Sequence, residues 1–482
     1  MFTKSHVVFL TVLTAIFILF LLVTEDENMQ GLSKFGVSLL LSLPSQNGTN
    51  SSKFLSFDDF SKTRFANDTS SSEPPTFRPT LSDTEDEVPD TGEDEMIAGE
   101  KGITFYRKLA NRYAGSGGNS PRDMQIFSAY HFKDHFAAVL AIGRAINSVV
   151  FCRYIGKDGK ENAEPVETRI YPWFVVYCSR RAGTTMLGVT SRKTDPLTTM
   201  NSVKLIKRKF REHQHHISFC MSPIYGDQPK WLHFVELVEH YKLQGIHKFF
   251  VYIQKISKYD KKLVDSYVQS GEVEIVDMSA VPKDRAVVVQ MLHVADCHLR
   301  SRTFSKWSIY ADLDERLIMT NESLTIDGFI RNLNNETIAS VVFPQRWIKV
   351  ENPMPSTFAN DQQIMDTLPT RTWHETTSAA MKGHPNCYEQ LSCWAKSIVN
   401  NEKTIRLQVH EVVEFYPGYT EWFLDPSIGY IRHYRGDPEH FWKFSNLQKM
   451  KSFGPFSNTS YPTSLGGKLL KNVLDRLHRV YD

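Results

Sequence analysis

The spacing of apolar and polar positions changes along the chain and predicts two kinds of folded segment. Between about 121 and 202, short β-branched and aromatic runs alternate with polar turns, which is the pattern of β-strands. The runs are MQIFSAYHF, AAVLAIGRA, VVFCRYI and YPWFVVYCS. We therefore expect a small β-rich accessory domain over 101–203.

From Ile217 onward, apolar strands alternate with amphipathic helices. In PKWLHFVELVEHYKLQG the apolar residues recur at three- and four-residue spacing, and Gly245 is placed to end the helix. Further helices are predicted in SKYDKKLVDSYVQSG and from Asp284 to about Arg302, among the strands ISFCM, HKFFVYI, VEIVDM and KWSIYADLDERL. This alternation favours an α/β fold with a mostly parallel sheet and helices on both faces. The predicted α/β domain spans 204–450, and 451–482 forms a C-terminal extension.

The α/β domain begins with the basic stretch KLIKRKFREHQHH (204–216), which we interpret as a solvated connector. Its three histidines could indicate a metal site. No acidic or cysteine partner has ligand spacing, however, so the connector is the preferred interpretation.

The N-terminal hundred residues differ from the rest. Residues 7–23 are apolar and uncharged, which predicts a transmembrane signal anchor behind a cytoplasmic tail of residues 1–6; a cleaved signal peptide is the alternative. Residues 24–100 are rich in Ser, Thr, Pro and acidic residues and are expected to form a disordered stem. This arrangement predicts a single-pass type II membrane protein with its body in the Golgi or secretory lumen.

Two further features agree with a luminal body. Asn-x-Ser/Thr sequons, which mark N-glycosylation acceptors, occur at Asn47, Asn50, Asn67, Asn321, Asn335 and Asn458. The chain has 6 cysteines, and an even number in an oxidising lumen indicates disulfides. The couples nearest in sequence are Cys387–Cys393 and Cys152–Cys178, and the pairing stays open.

Charge is unevenly distributed between the N-terminal hundred residues and the rest of the chain. The whole chain carries a net charge of +2, but residues 1–100 hold 6 basic and 16 acidic side chains out of 56 and 54, so the body carries 50 minus 38, or +12. A basic body suits an anionic ligand such as a nucleotide. The basic residues are dispersed, so a nucleic-acid partner is not expected.

The candidate chemistry lies in Trp307–Leu317, WSIYADLDERL. An apolar strand delivers Asp312 and Asp314 at its carboxyl end, where ligands of open α/β sheets bind. Two carboxylates so close repel each other unless a cation lies between them, and hard oxygen ligands suit Mn²⁺ or Mg²⁺. The alternative is that the acidic pair simply begins a turn.

Several stretches together resemble the nematode-type glycosyltransferase family 92. They are FSAYHF (127–132), CMSPIYGDQPKWLHFVELVEHYKLQGIHKFFVYI (220–253), VVQMLHVADCHLR (288–300), YADLDERL (310–317), AKSIVN (395–400), VHEVVEFYPGY (409–419) and IRHYRGD (431–437). The resemblance covers about 121–440.

The resemblance implies a GT-A-type fold and inverting transfer of a hexose, galactose from UDP-galactose, to a glycan or glycoprotein acceptor with Mn²⁺. By position, Asp312 and Asp314 become the Asp-x-Asp element that holds the metal and the donor diphosphate. His433 is the implied histidine ligand, with His410 as the alternative. Tyr225 is the candidate to stack on the nucleobase.

An inverting transfer also needs a carboxylate base. Glu375 is our first candidate, and Glu389 and Asp425 are the others. Arg316 stands where a haloacid-type phosphatase motif requires Thr or Val, and neither His374-Glu375 nor His410-Glu411 has the second histidine of a metalloprotease. The remaining alternative is a catalytically inactive, membrane-tethered glycan-binding or scaffold protein.

Overall fold

The computed structural model describes most of the chain beyond residue 102. The described residues are 103–112, 125–141, 147–207, 212–281, 286–350, 354–368, 370, 373–379, 395–436, 453–459 and 461–482. The predicted anchor, the stem with Asn47, Asn50 and Asn67, and the residues Cys387, Glu389 and Cys393 lie outside them. Within the described part, no helix combines the length and the apolar character needed to cross a membrane.

The described chain contains both helices and strands, numbered in chain order. The helices are α1 (103–111), α2 (Trp231–Leu243), α3 (Lys258–Gln269), α4 (Ala286–Ser301), α5 (Ile326–Arg331), α6 (Asp361–Thr367) and α7 (Thr463–Tyr481). The first strands are β1 (Ile126–His131), β2 (His135–Leu140), β3 (Val149–Ile155), β4 (Glu161–Arg169), β5 (Val175–Ser179), β6 (Met186–Thr190) and β7 (Ser202–Lys207). They are followed by β8 (His215–Ile224), β9 (Phe249–Ile253), β10 (Val273–Asp277), β11 (Ser305–Ala311), β12 (Glu315–Met319), β13 (Ile338–Phe343) and β14 (Gln345–Lys349). The last are β15 (His374–Thr376), β16 (Lys396–Asn400), β17 (Thr404–Leu407), β18 (Val412–Phe415), β19 (Thr420–Phe423), β20 (Gly429–Arg435) and β21 (Phe456–Asn458).

Strands β1 to β7 form one sheet in the order β4-β3-β6-β7-β1-β2-β5. The four predicted runs become β1, β2, β3 and β5, so this part of the prediction is confirmed. The sheet curls on itself, because Cys152 of β3 is bonded to Cys178 of β5 and Ile170 bridges Val176. The structure thus confirms one of the two disulfides considered from the sequence.

The stretch interpreted as a connector is partly sheet. Lys204 to Lys207 belong to β7, and His215 and His216 begin β8. The connector interpretation is therefore wrong for both ends of this stretch. Leu205 of β7 pairs with Ala129 of β1, which explains why a run with so many lysines forms a strand.

The second sheet has the order β10-β9-β8-β11-β16-β13-β19. The pairs from β10 to β11 are parallel, whereas β16 runs antiparallel to both of its neighbours, β11 and β13. The predicted α2 and α3 are present, and each is followed by a glycine at positive φ, Gly245 (φ 88) and Gly271 (φ 77). The expected mixed α/β architecture with a mostly parallel sheet is thus confirmed.

Helices cover both faces of this second sheet. Residues of α2, α3 and α7 form one core with its first face. Residues of α4 form another core with the opposite face and with the first sheet. A disulfide between Cys220 of β8 and Cys297 of α4, not anticipated from the sequence, fastens α4 to that face.

A third sheet, in the order β12-β20-β14-β15-β21, adjoins the second. The chain passes from β11 directly into β12 through residues 312–314, so the Asp-x-Asp element lies at the corner between the two sheets. Strand β20 returns antiparallel to β12, with Glu315 opposite His433. This pairing determines which side chains surround the corner.

Candidate active site

Three strands bring side chains to the corner that contains Asp312 and Asp314. Strands β8 and β11 are parallel and end side by side, with Met221 paired to Ala311, so Tyr225 and Asp312 both follow at the carboxyl edge. Strand β16 runs in the opposite direction and begins at this edge with Lys396, next to Ser397, which pairs with Tyr310. The edge therefore collects both acidic and basic groups, as expected for a ligand site in an α/β sheet.

The turn at the corner is held by its own hydrogen bonds. The Asp312 amide donates to Glu315 Oε2 at 2.8 Å, and the Glu315 amide donates to the Asp312 carbonyl at 3.1 Å. The next residue, Arg316, is fully buried and pairs with the equally buried Glu236 of α2. These contacts fix the backbone that presents the two aspartates.

Asp312 is neutralised by a buried lysine. Lys396, which is 1% exposed, places Nζ 3.0 Å from Asp312 Oδ2 and 3.3 Å from Glu315 Oε2, and Ser222 donates a hydrogen bond to Asp312. Burial favours the neutral acid, but Lys396 outweighs it and holds the pKa of Asp312 well below its usual range. The same carboxylates raise the pKa of Lys396 against the effect of burial. Both groups are therefore charged at neutral pH.

Asp314 is oriented toward a different set of groups. Arg435 Nη1 lies 3.0 Å from Asp314 Oδ2, and His433 Nε2 lies 3.5 Å from the same oxygen. Burial would raise the pKa of Asp314, but Arg435 holds it well below the usual range. The Arg435 side chain is 39% exposed, so its guanidinium is within reach of a ligand.

The surroundings of His433 determine which of its two ring nitrogens is available to bind a cation. Gln345 Oε1 lies 3.0 Å from Nδ1, Glu315 Oε1 lies 3.5 Å from it, and the ring stacks on Trp347 at 4.6 Å. With oxygen acceptors on that side, Nδ1 carries the hydrogen and the lone pair is on Nε2. Within the described chain, Nε2 has no hydrogen-bond partner, and it faces Asp314.

This arrangement fits a divalent cation. A carboxylate oxygen and an imidazole lone pair 3.5 Å apart are near the roughly 3 Å that separates neighbouring ligands about 2.1 Å from one ion. The described residues contain no group of three or more His, Cys, Asp or Glu side chains arranged to hold a metal. Two protein ligands suit Mg²⁺-type binding, in which substrate phosphates and water supply the others.

The alternative ligand His410 lies on the Asp312 side of the site. Its Nδ1 is 3.3 Å from the Ala395 carbonyl, and burial and Lys396 together lower its pKa to about 3, against the attraction of Asp312. His410 is therefore a neutral imidazole beside Asp312 and Lys396. The structure thus places Asp312, Asp314, His433 and the alternative ligand His410 at the same corner.

Sequence reasoning missed several residues of this site. Lys396 and Gln345 are two of them, and His233 of α2 is another. Burial and Arg316 lower the pKa of His233 to about 3, while the charge of Asp314 opposes them. The family-like stretches 220–253 and 395–400 contain His233 and Lys396 but single out neither residue, and none of these stretches contains Gln345.

Tyr225 lies at the entrance of the site. Its side chain is 64% exposed, it directly follows β8, and it is close enough to Arg435 to affect the pKa of that residue. The neighbouring Asp227 forms an ion pair with Lys255, which joins the loops after β8 and β9. An exposed ring at this edge is available to stack on a ligand.

The candidate bases do not join this cluster. Glu375 lies in β15 opposite Ile348, on the face of the third sheet away from His433; Thr459 donates to it at 2.6 Å, and Arg346 is 3.9 Å away. Asp425 accepts from the Ser427 amide at the far end of β12, about 13 Å along the strand from Glu315. Glu389 lies outside the described residues. The structure thus assembles the predicted donor side of the site without either described carboxylate.

The sequons in the described chain lie on its surface. Asn321, Asn335 and Asn458 are all exposed. Asn335 sits in a turn in which its Oδ1 accepts hydrogen bonds from Thr337, and Asn321 accepts from the Ser323 amide. Each is accessible to a modifying enzyme.

Comparison with known proteins identifies the family to which this chain belongs. Residues 215–469, more than half of the chain, match the model of glycosyltransferase family 92. The beta-1,4-galactosyltransferase galt-1 of Caenorhabditis elegans is 25% identical over 181 residues, which cover 35% of this chain and 43% of that protein. The match therefore spans less than half of the relative's length.

One solved structure, a dodecameric iron-containing heptosyltransferase TibC in complex with ADP-D-beta-D-heptose, aligns over 34% of this chain and 37% of its own. It is 12% identical with a TM-score of 0.12, so this likeness is too weak to support a conclusion.

The family match covers the whole corner, from β8 through Asp312 and Asp314 to His433. The chain belongs to glycosyltransferase family 92.

Proposed function

We propose that this enzyme transfers a hexose from a UDP-sugar to a hydroxyl group of a glycan, with inversion, through a GT-A-type arrangement of its second sheet. The observation that carries the proposal is the placement of Asp312, Asp314 and His433 at the carboxyl edge beside Lys396 and Arg435. A nucleoside diphosphate is an anion, and such an edge suits it. Galactose is the first candidate sugar, because the relative from Caenorhabditis elegans carries that name.

The residues at the corner fit Mn²⁺ or Mg²⁺. Asp314 and His433 would hold the ion, and Gln345 keeps the lone pair of His433 on Nε2. When bound, the ion supplies positive charge that stabilises the departing diphosphate. Lys396 keeps Asp312 ionised next to this position.

The chain's own groups have distinct tasks in the transfer. The acceptor oxygen bonds to the anomeric carbon while the bond from that carbon to the phosphate oxygen breaks, and UDP leaves with the electron pair. Arg435 is partly exposed and presents its guanidinium to the charge that develops on the leaving group. Tyr225 stacks on the uracil, and the proton of the acceptor hydroxyl passes to a base.

The location is also part of the proposal. Residues 7–23 anchor the enzyme as a type II membrane protein, and the body lies in the Golgi or another secretory lumen. The exposed sequons at Asn321, Asn335 and Asn458 and the two disulfides among the described residues support an oxidising, glycosylating compartment.

The decisive experiment measures UDP or GDP release from a panel of nucleotide sugars by the full-length enzyme in detergent. It is run with Mn²⁺, with EDTA, and with the Asp314→Asn variant. Metal-dependent release from one UDP-sugar, lost in the variant, supports the proposal. Release that persists in EDTA contradicts the metal assignment. A folded enzyme that binds no donor would instead indicate a glycan-binding protein without activity.

A further inference from the structure

The first sheet contains a cavity that shares no residue with the transfer site. Its volume is about 320 Å³, at the lower end of the range for small-molecule sites, roughly 300–1,000 Å³. It lies where β1, β3 and β7 end and β6 begins. This location follows from the register, since His131 pairs with Lys207, and Met186 pairs with both Ile155 and Lys204.

The polar lining of this cavity is cationic. Lys157 comes from the turn between β3 and β4, and Lys204 and Lys207 come from β7. None of the described residues that line the cavity is a carboxylate. Among the described residues, neither Lys157 nor Lys204 has a carboxylate partner, because nearby Glu161 is already paired with Arg153 through two bonds of 2.6 Å.

Neutral groups complete the lining. Thr184 Oγ1 is buried and has no hydrogen-bond partner within the described chain, which leaves a donor available to a ligand oxygen. Met186 and Leu205 add an apolar surface. A small concave site with several ammonium groups, a hydroxyl donor and an apolar wall matches a sugar that carries a negative charge.

We propose that this cavity binds an acidic sugar residue of a glycan, one that bears a sulfate or a carboxylate. Lys157 and Lys204, which have no carboxylate partner among the described residues, attract such a group, and these exposed lysines need little desolvation to do so. Lys204 and Lys207 belong to the basic stretch 204–216, to which the proposed transfer reaction assigns no role. This inference goes beyond the proposed transfer reaction and holds whichever donor the enzyme uses.

Calorimetric titration of the full-length protein in detergent tests the proposal directly. The probes are a heparin-derived hexasaccharide, its desulfated and carboxyl-reduced counterpart, and inorganic sulfate. We expect the charged hexasaccharide to bind, the neutral one not to bind, and sulfate alone to bind at least tenfold more weakly than the charged hexasaccharide. Affinity should fall as salt rises.

Two variants locate the binding. Lys157→Glu combined with Lys204→Glu should weaken binding at least tenfold. Thr184→Val, which leaves the charge unchanged, should weaken it by a few-fold. Lys193→Glu is the matched control, because Lys193 is an exposed lysine of the same sheet region outside the cavity. Each variant's melting temperature shows that it is folded.

Other outcomes would overturn the proposal. An equal loss in Lys193→Glu would mean that the chain binds anions through diffuse surface charge. Equal binding of the neutral hexasaccharide would remove the role of the lysines. Inorganic sulfate that binds as tightly as the hexasaccharide would make this a site for a free anion rather than for a glycan, and the absence of any binding would exclude the site. None of these results depends on transferase activity.

Discussion

His433 Nε2 lies 3.5 Å from Asp314 Oδ2, although the two residues are far apart in the sequence. Strand pairing creates this relationship, because β20 returns antiparallel to β12 and sets His433 opposite Glu315. Gln345, on the next strand, accepts a hydrogen bond from the other nitrogen of the ring. The metal assignment therefore depends on three strands of the third sheet, and it can be tested at each of them.

Replacing Asp314 by Asn should abolish most of the activity while leaving the fold intact. The change removes one negative ligand and keeps the size of the side chain, so we expect kcat/KM to fall about 10²- to 10³-fold, as for other losses of a charge-stabilising group. UDP release and Mn²⁺ affinity, measured by electron paramagnetic resonance, check this. The control is Asp425→Asn at the far end of β12, and an equal loss there would contradict the assignment.

Gln345 should hold the ring of His433 in position rather than contact the metal ion itself. Gln345→Leu removes the acceptor at Nδ1, so we expect Mn²⁺ affinity to fall about 10- to 100-fold, the usual effect of losing a partner of a metal-bound histidine. At saturating Mn²⁺ the KM for the UDP-sugar should stay unchanged. Gln345→Glu retains an oxygen acceptor and should restore the affinity. If both variants lose affinity equally, Gln345 has only a packing role.

The sequence predicted those parts of the site that are formed by residues close together along the chain. Asp312 and Asp314 follow one apolar strand, and the amphipathic spacing of α2 is visible in the sequence itself. Lys396 was not predicted, because nothing in AKSIVN indicates that β16 inserts antiparallel between β11 and β13. In the same way, the polar run ENAEPVETR gave no sign that it forms β4, since it lies at an edge of the first sheet.

Lys396 should matter for stability as well as for the site. Lys396 is buried against Asp312 and Glu315, so Lys396→Met would leave the buried Glu315 and the half-buried Asp312 without their cation. Breaking a buried pair in this way costs about 3–5 kcal/mol of unfolding free energy. Urea denaturation measures the loss. Lys261→Met, which breaks an exposed pair with Asp265, should cost less than about 1 kcal/mol, and similar losses in both variants would contradict the prediction.

The exposed sequons allow a test of the luminal location. If the body is luminal, endoglycosidase treatment of the full-length protein should increase its electrophoretic mobility. Asn335→Gln should remove one glycan-sized step, because Asn335 is exposed within its turn. Asn334→Gln alters the adjacent exposed residue, which is not in a sequon, and should change nothing. Unaltered mobility after the enzyme treatment would count against the luminal location.

Glu421 should make the stability of the protein depend on pH. Burial, together with repulsion from Glu411, raises the pKa of Glu421 from 4.5 to about 7. Because the folded state favours the neutral acid, its contribution to stability is present below the unfolded pKa and is lost as the pH rises through about 7. Glu421→Gln mimics the neutral acid, so it should stabilise the protein by about 2–3 kcal/mol at pH 8.5 and by little at pH 4.5. Denaturant titrations at the two pH values measure the difference, with the 87%-exposed Glu164→Gln as the control. Equal effects of Glu421→Gln at both pH values would show that Glu421 titrates normally in the folded protein.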